Sequence, residues 1–349
     1  MHKQRVSEFA WKTRDGYSVK TIDMHTGGEP LRVLAEGLPP IEGGTVLEKR
    51  RFFREHYDSL RTGLMWEPRG HADMYGAVVT TATDADFDVF FLHNAGYSTM
   101  CGHAIIALTT LVLETRVHEG SIDGDRRDVA VTFNVPAGRI EARGSVTDGR
   151  VDDVRFRNVP SFVFKRNGVV DVPGLEPVRF DVAYGGAFYA LVEAEPLGLA
   201  LTPQHAGRLI DAAGRIKGAV AAACPVRHPF EEELGFLYGV IFTAPPADGR
   251  NHSRNVCVFA EGEVDRSATG SGVSARIALH HARGEAAMNE TINIESILGT
   301  VMSVRAVQST RFGPHEAVVP EVGGSAFITG RSEFYFDPAD SLRGGFLVR

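Results

Sequence analysis

Cys101 lies in Asn94-Ala-Gly-Tyr-Ser-Thr-Met-Cys101-Gly-His103, a turn between the apolar run Phe87 to Leu92 and a longer apolar run from Ala104. The first run reads as a strand. The second, from about Gly102 to Thr115, reads as a helix that is apolar nearly all round, as expected of a helix enclosed by its domain. The start of a helix carries unpaired N–H groups and the positive end of the helix dipole. A thiol there is poised to become a thiolate, and the same mouth can hold an anion. The competing reading is that Ser98 or Thr99 caps the helix and Cys101 is only a small residue of its first turn.

The chain repeats this arrangement. Asn255 to Phe259 reads as a strand, Asp265-Arg-Ser-Ala-Thr269-Gly-Ser-Gly272 as a polar turn, and Val273 to Ala282 as a second helix. Thr269-Gly270 therefore stands where Cys101-Gly102 stands in the first copy. Upstream, Thr26-Gly-Gly-Glu-Pro-Leu-Arg-Val33 precedes one copy and Tyr184-Gly-Gly-Ala-Phe-Tyr-Ala-Leu-Val192 precedes the other. Such an internal repeat implies two similar α/β halves. Facing each other, their helix mouths would hold a small anionic molecule, with Cys101 on one face and Thr269 on the other.

The elements that position these residues follow in order. Tyr17 to Asp23 and Leu31 to Ala35 read as strands joined by a tight Gly27-Gly28 corner, which His25 and Glu29 flank as polar turn residues. Leu47 to Arg61 reads as an amphipathic helix and Ala77 to Thr81 as a strand. Arg116 to Pro160 alternates short apolar runs with turn residues, as in a β-meander, and Val159-Pro160-Ser161 is the expected crossing into the second half. Thr202 followed by Pro203 reads as the start of a further helix, with Leu209, Ala213, Ile216 and Val220 on its apolar face.

Composition narrows the classes of function. The chain has 349 residues, 43% of them hydrophobic and 23% charged, which fits a folded chain of about two domains. A formal net charge of −7 argues against a nucleic-acid surface. Three cysteines point to a reducing compartment rather than a disulfide framework. The first twenty residues lack an apolar core, so no secretory signal is expected, and no stretch has the length of a membrane span. A cytoplasmic location is the expectation. His71-x-Asp73 has no third or fourth partner at ligand spacing, so no metal is expected. Gly270-Ser-Gly-Val-Ser-Ala275 fits the dinucleotide pattern, but a polar turn separates it from its strand, and a nicotinamide site is not expected.

Taken together, the segments MHTGGEP (24–30), EPRGH (67–71), MCGH (100–103), YGGAFYA (184–190), DRSATGSG (265–272) and ESILG (295–299) resemble the proline racemase family, in order from Ile22 to Phe346. The resemblance implies the fold of diaminopimelate epimerase, an α/β (α+β) architecture of two pseudo-symmetric halves. Each is a curved sheet or barrel around a central helix, with the site in the cleft between them. The halves would be residues 1–160, completed by 331–349, and residues 161–330. Racemases and epimerases of this family carry a second cysteine where this chain has Thr269. The Cys/Thr pattern is that of trans-3-hydroxy-L-proline dehydratases.

What the family implies for single residues is specific. Cys101 would remove the Cα proton, with Thr269 opposite it and unable to serve as the second acid. Backbone N–H groups of Gly102, His103, Gly270 and Ser271 would hold the developing enediolate, and Asp265 would grip the ring nitrogen. Tyr75 and Phe259 would line the ring pocket, and Ser98 would sense a ring hydroxyl. No cofactor is implied, and family habit suggests a homodimer. A proline or 4-hydroxyproline racemase or epimerase, or a proline-binding protein without activity, stay open as alternatives.

Overall fold

The computed structural model describes residues 16–115 and 127–348. Most of the charged N-terminal stretch and the start of the expected meander, 116–126, lie outside these residues. The first repeat comprises β1 (Tyr17–Thr26), β2 (Glu29–Glu36), α1 (Val46–Met65), β3 (Tyr75–Thr81), β4 (Phe87–His93), β5 (Tyr97–Ser98), α2 (Gly102–Glu114), β6 (Arg127–Val135), β7 (Gly138–Thr147), β8 (Arg150–Arg157) and β9 (Ser161–Val170). The second comprises β10 (Val178–Tyr184), β11 (Phe188–Glu193), α3 (Ala206–Ala223), β12 (Leu237–Ala244), β13 (Ser253–Phe259), β14 (Glu263–Val264), α4 (Gly270–Arg283), β15 (Ile292–Glu295), β16 (Val301–Phe312), β17 (His315–Gly324) and β18 (Ala326–Phe336).

Strand pairing repeats with the sequence. β2 runs parallel to β3, β3 antiparallel to β4, and β4 parallel to β6; β11, β12, β13 and β15 pair in the same sense. The last strand of each repeat pairs with the first strand of the other. β9 lies antiparallel to β10, and β18 lies antiparallel to β1 from Tyr17 opposite Phe336 to Thr26 opposite Ala326. In the second half, β9 also meets β17, so that β9-β10-β11-β12-β13-β15-β16-β17 closes into a barrel. β6, β7 and β8 form the meander read from the sequence.

Each barrel-like sheet wraps one helix. In α2, Gly102 through Leu113 are all buried, and in α4 Gly270 through His280 are. Leu and Ile side chains so enclosed each contribute about 1.5–3 kcal/mol, so the helix is fixed in rotation and its first turn cannot wander. α1 and α3 lie outside the sheets and bury one face only. α1 begins at a capping box, with Thr45 and Glu48 exchanging bonds, and buries Phe53, Leu60 and Leu64. α3 starts later than the Thr202-Pro203 signal suggests. Those residues form a single 3-10 turn, Pro203–His205, in which the Thr202 hydroxyl pairs with His205 Nδ1 at 2.8 Å instead of capping the backbone.

The two enclosed helices touch at their starts. A Cβ built on Gly102 would stand 2.5 Å from the Cα of Gly270, and one built on Gly270 would stand 2.6 Å from the Cα of Gly102. No side chain fits between them. Gly102→Ala is therefore expected to cost at least ~2 kcal/mol, at the upper end for overpacked sites, because backbone meets backbone. Gly214→Ala, at an exposed α3 position with nothing within 4 Å of the added Cβ, is expected to stabilise by ~0.5–1 kcal/mol. Thermal unfolding of both variants checks the contrast.

Candidate active site

Cys101 is itself the N-cap of α2, which rules out the reading that Ser98 or Thr99 caps it. Its φ and ψ are −142° and 103°, and its Sγ accepts from the N–H of Ala104 at 3.4 Å. The Thr99 hydroxyl instead donates to the Gly186 carbonyl at 2.6 Å, and Ser98 pairs with the Tyr75 hydroxyl. Thr269 holds the matching place on α4 but not the matching bond. Its φ is +66°, its side chain makes no cap hydrogen bond, and its buried hydroxyl has no partner. A β-branched residue in that region is strained by about 1–3 kcal/mol. Asn255 helps to hold it, donating to the Ala268 carbonyl at 3.2 Å while accepting from Arg276 at 2.8 Å.

Between the two mouths is a pocket lined by Tyr75, Cys101, Gly102, His103, Phe259, Asp265, Thr269, Gly270 and Ser271, and also by Met100, Tyr189 and Tyr238. Every site residue read from the sequence is on that wall except Ser98, which stands behind Tyr75. The cavity is narrow, with about 20 Å³ open to the centre of a water molecule. Met100, Tyr189 and Tyr238 were not read as site residues. A sequence signal for Tyr238 existed in the repeat: Met74-Tyr75-Gly76 on the first copy corresponds to Leu237-Tyr238-Gly239 on the second.

Hydrogen bonding at the mouths leaves donors for an anion. In α2, Ala104 N–H goes to Cys101 Sγ and Ile105 N–H to the Cys101 carbonyl. In α4, Val273 N–H goes to the Thr269 carbonyl at 2.7 Å. The N–H groups of Gly102, His103, Gly270 and Ser271, in the first turns, have no acceptor within their helices. They converge from both sides on one small volume, with both helix dipoles positive toward it.

The acids of the site are buried beside these donors. Asp265 is 4% exposed; its Oδ1 accepts from Ser267 N–H at 2.7 Å, and its own N–H donates to the Cys257 carbonyl at 3.0 Å. The arginines nearby pair elsewhere: Arg266 with Asp73 at 3.0 Å, and Arg276 with Ser253, Asn255 and His280. Glu29, read as a turn residue, is fully buried and accepts from Arg266 N–H at 2.7 Å. Burial and the neighbouring Asp265 push its carboxyl well above the usual range. His71, the other half of the His-x-Asp pair, turns its Nδ1 to the Ala72 carbonyl.

The thiol differs from its sequence reading. The helix start was expected to make Cys101 a ready thiolate, but burial pushes its pKa well up. The Ala104 N–H opposes this and the Asp265 carboxylate adds to it. The site therefore holds a neutral thiol until the charge around it changes. His103 touches that thiol, with Nδ1 3.1 Å from Sγ, and its ring is kept neutral by burial. Nε2 is 3.7 Å from the same Sγ, so either tautomer of the neutral ring keeps a nitrogen against the thiol.

An interface between two α/β copies, with a thiol, a hydroxyl and a buried carboxylate gathered at opposed helix starts, defines a two-halved protein of the diaminopimelate epimerase type. The chain belongs to the proline racemase family, whose profile matches residues 21–347. It is 47% identical over 334 residues to a trans-3-hydroxy-L-proline dehydratase of Colwellia psychrerythraea, covering 95% of this chain and 93% of that one. It is 43% identical to a 3-hydroxyproline 2-epimerase of Burkholderia multivorans, covering 95% and 98%. Among solved structures, a hydroxyproline epimerase from Agrobacterium vitis with trans-4-hydroxy-L-proline bound superposes with a TM-score of 0.87 at 31% identity, covering 97% of both chains.

Replacing Asp265 by Asn removes a charge that raises the thiol pKa. Ultraviolet absorbance of the thiolate, referenced to Cys101→Ser, is expected to titrate at lower pH in Asp265→Asn than in the unaltered protein. An unchanged or higher inflection would contradict the assignment of that charge.

Proposed function

We propose that this chain is a trans-3-hydroxy-L-proline dehydratase, a hydro-lyase that forms Δ2-pyrroline-2-carboxylate. The observation that carries the reading is the asymmetry of the two mouths: a thiol on one, and on the other a threonine hydroxyl too weakly acidic to exchange protons at neutral pH. Residues 1–160 with the C-terminal segment 331–349, and residues 161–330, would be the two bodies that flank the ring. The similarity to a dehydratase at 47% identity supports the reading.

In this mechanism the substrate carboxylate takes the N–H groups of Gly102, His103, Gly270 and Ser271, and its ring ammonium pairs with Asp265. That pairing offsets the negative charge that raises the Cys101 pKa, so binding lowers it and the proton can pass to His103. The thiolate then takes the Cα proton. An S–H bond forms, the C–H pair moves into the carboxylate, and the enediolate is held by donors commonly worth several kcal/mol. In trans-3-hydroxy-L-proline the C3 hydroxyl and the C2 hydrogen lie on the same ring face. Collapse of the enediolate forms C2=C3 and breaks the C3–O bond. The departing hydroxide takes the proton from Cys101 as water and the thiolate is restored. The Δ2 product then tautomerises to Δ1-pyrroline-2-carboxylate.

No step of this sequence calls on a cofactor. The proposal includes a reducing, cytoplasmic setting, consistent with three free cysteines, and a homodimer as family habit implies. Incubation with trans-3-hydroxy-L-proline, with product trapped by o-aminobenzaldehyde, tests the reading. Turnover is expected in the unaltered protein and a loss of at least ~1,000-fold in Cys101→Ser, since the removed group makes the bond-breaking proton transfer. Inversion at C2 with the hydroxyl retained would replace the dehydratase by an epimerase.

A further inference from the structure

The two repeats place a tyrosine at the same point on each side of the pocket, and only one of them is satisfied. Tyr75 on β3 lies opposite His93, and two residues on, Ala77 lies opposite Phe91, which in turn pairs with Ser98 of β5. In the second copy, Val240 lies opposite Val258, which pairs with Val264 of β14. Ser98 and Val264 are therefore repeat equivalents. The Tyr75 hydroxyl uses Ser98 as its partner. Tyr238 has valine at the corresponding repeat position; the residue is 5% exposed and lines the pocket, and its hydroxyl makes no hydrogen bond, its polar neighbour being the Tyr75 phenol.

We propose that Tyr238 is the specificity residue for the substrate's ring hydroxyl, its phenol donating a hydrogen bond to the C3 oxygen. The inference rests on the dehydratase reading and extends it. Of the ligand's polar groups, the carboxylate is claimed by the helix starts and the ring nitrogen by Asp265, which leaves the ring hydroxyl. Among the described residues lining the pocket, two side-chain hydroxyls have no partner, those of Tyr238 and Thr269. Thr269 stands opposite Cys101, whereas in the trans-3 isomer the hydroxyl shares the face from which Cys101 acts. Tyr238 reaches across to that half: its ring meets His93 edge-on, with centroids 6.1 Å apart, and it neighbours Tyr75. Burial, with Tyr189 and Glu263 near, pushes its phenol well above the ordinary range, so it stays a donor throughout the working pH range. A buried donor without a partner penalises any ligand that lacks the matching acceptor, which favours a hydroxylated ring over plain proline.

The test compares two reactions of one site. Tyr238→Phe keeps the ring packing and is expected to lower kcat/KM for dehydration of trans-3-hydroxy-L-proline by ~100-fold, the usual effect of losing one aimed donor. Uptake of deuterium at Cα of L-proline in D₂O needs Cys101 but no ring hydroxyl, and is expected to fall at least ~10-fold less than dehydration does. Val264→Ser would give Tyr238 the partner that Ser98 gives Tyr75, and is expected to depress dehydration by ~10-fold with exchange again falling less. Unchanged dehydration in Tyr238→Phe, or dehydration and exchange falling together, overturns the proposal. Unaltered protein that exchanges Cα hydrogen yet forms no pyrroline product overturns the dehydratase reading and this inference with it.

Discussion

Two helix starts meet at Gly102 and Gly270 with no side chain between them, and the rest of the site is set by that contact. The glycines let the backbones approach, and the enclosing sheets prevent either helix from turning away. The approach brings two sets of free N–H groups and two positive dipole ends to one volume, where a single helix would offer half as many. The residue before each glycine is Cys101 in one copy and Thr269 in the other, and the two line one pocket on a duplicated frame.

Electrostatics then govern when the frame can act. With Asp265, Glu29 and Cys101 buried close together, adding a thiolate to the pocket would crowd like charges in a buried region. In the proposed mechanism a cationic ligand pairing with Asp265 offsets that cost, which would couple thiol activation to binding. The polar groups that stay unpaired around the cavity, the hydroxyls of Thr269 and Tyr238, cost stability in the empty protein. Such costs are borne where a ligand supplies the missing partner.

Much of this was legible in the chain because its signals are local. The turn-then-helix pattern around Cys101 and Thr269, the all-round apolar α2, the double-glycine corners and the β6–β8 meander depend on neighbouring residues, and they sit where the sequence places them. What was not legible depends on closure. The thiol pKa has the opposite sign from the one a helix start suggests, because burial comes from the other half of the molecule. Glu29 reads as a turn residue until Arg266, far along the chain, donates to it. Tyr189 and Tyr238 lie on strands whose alternation does not say which inward side chain reaches the cleft, although aligning Tyr75 with Tyr238 in the repeat would have marked the second. Thr202 and Pro203 do stand at the cap and first position of a helical start, but its first turn is 3-10, running straight into α3 at Ala206.

The central claim is that only one face of the pocket carries an acid/base. The most direct test is the stereochemistry of hydrogen exchange on L-proline, which has no leaving group and reports proton transfer alone. In D₂O, Cys101 acting by itself should place deuterium at Cα with the L configuration retained and no D-proline formed. Deuterated D-proline accumulating at a rate comparable to exchange would show a second acid working from the Thr269 side and contradict the account.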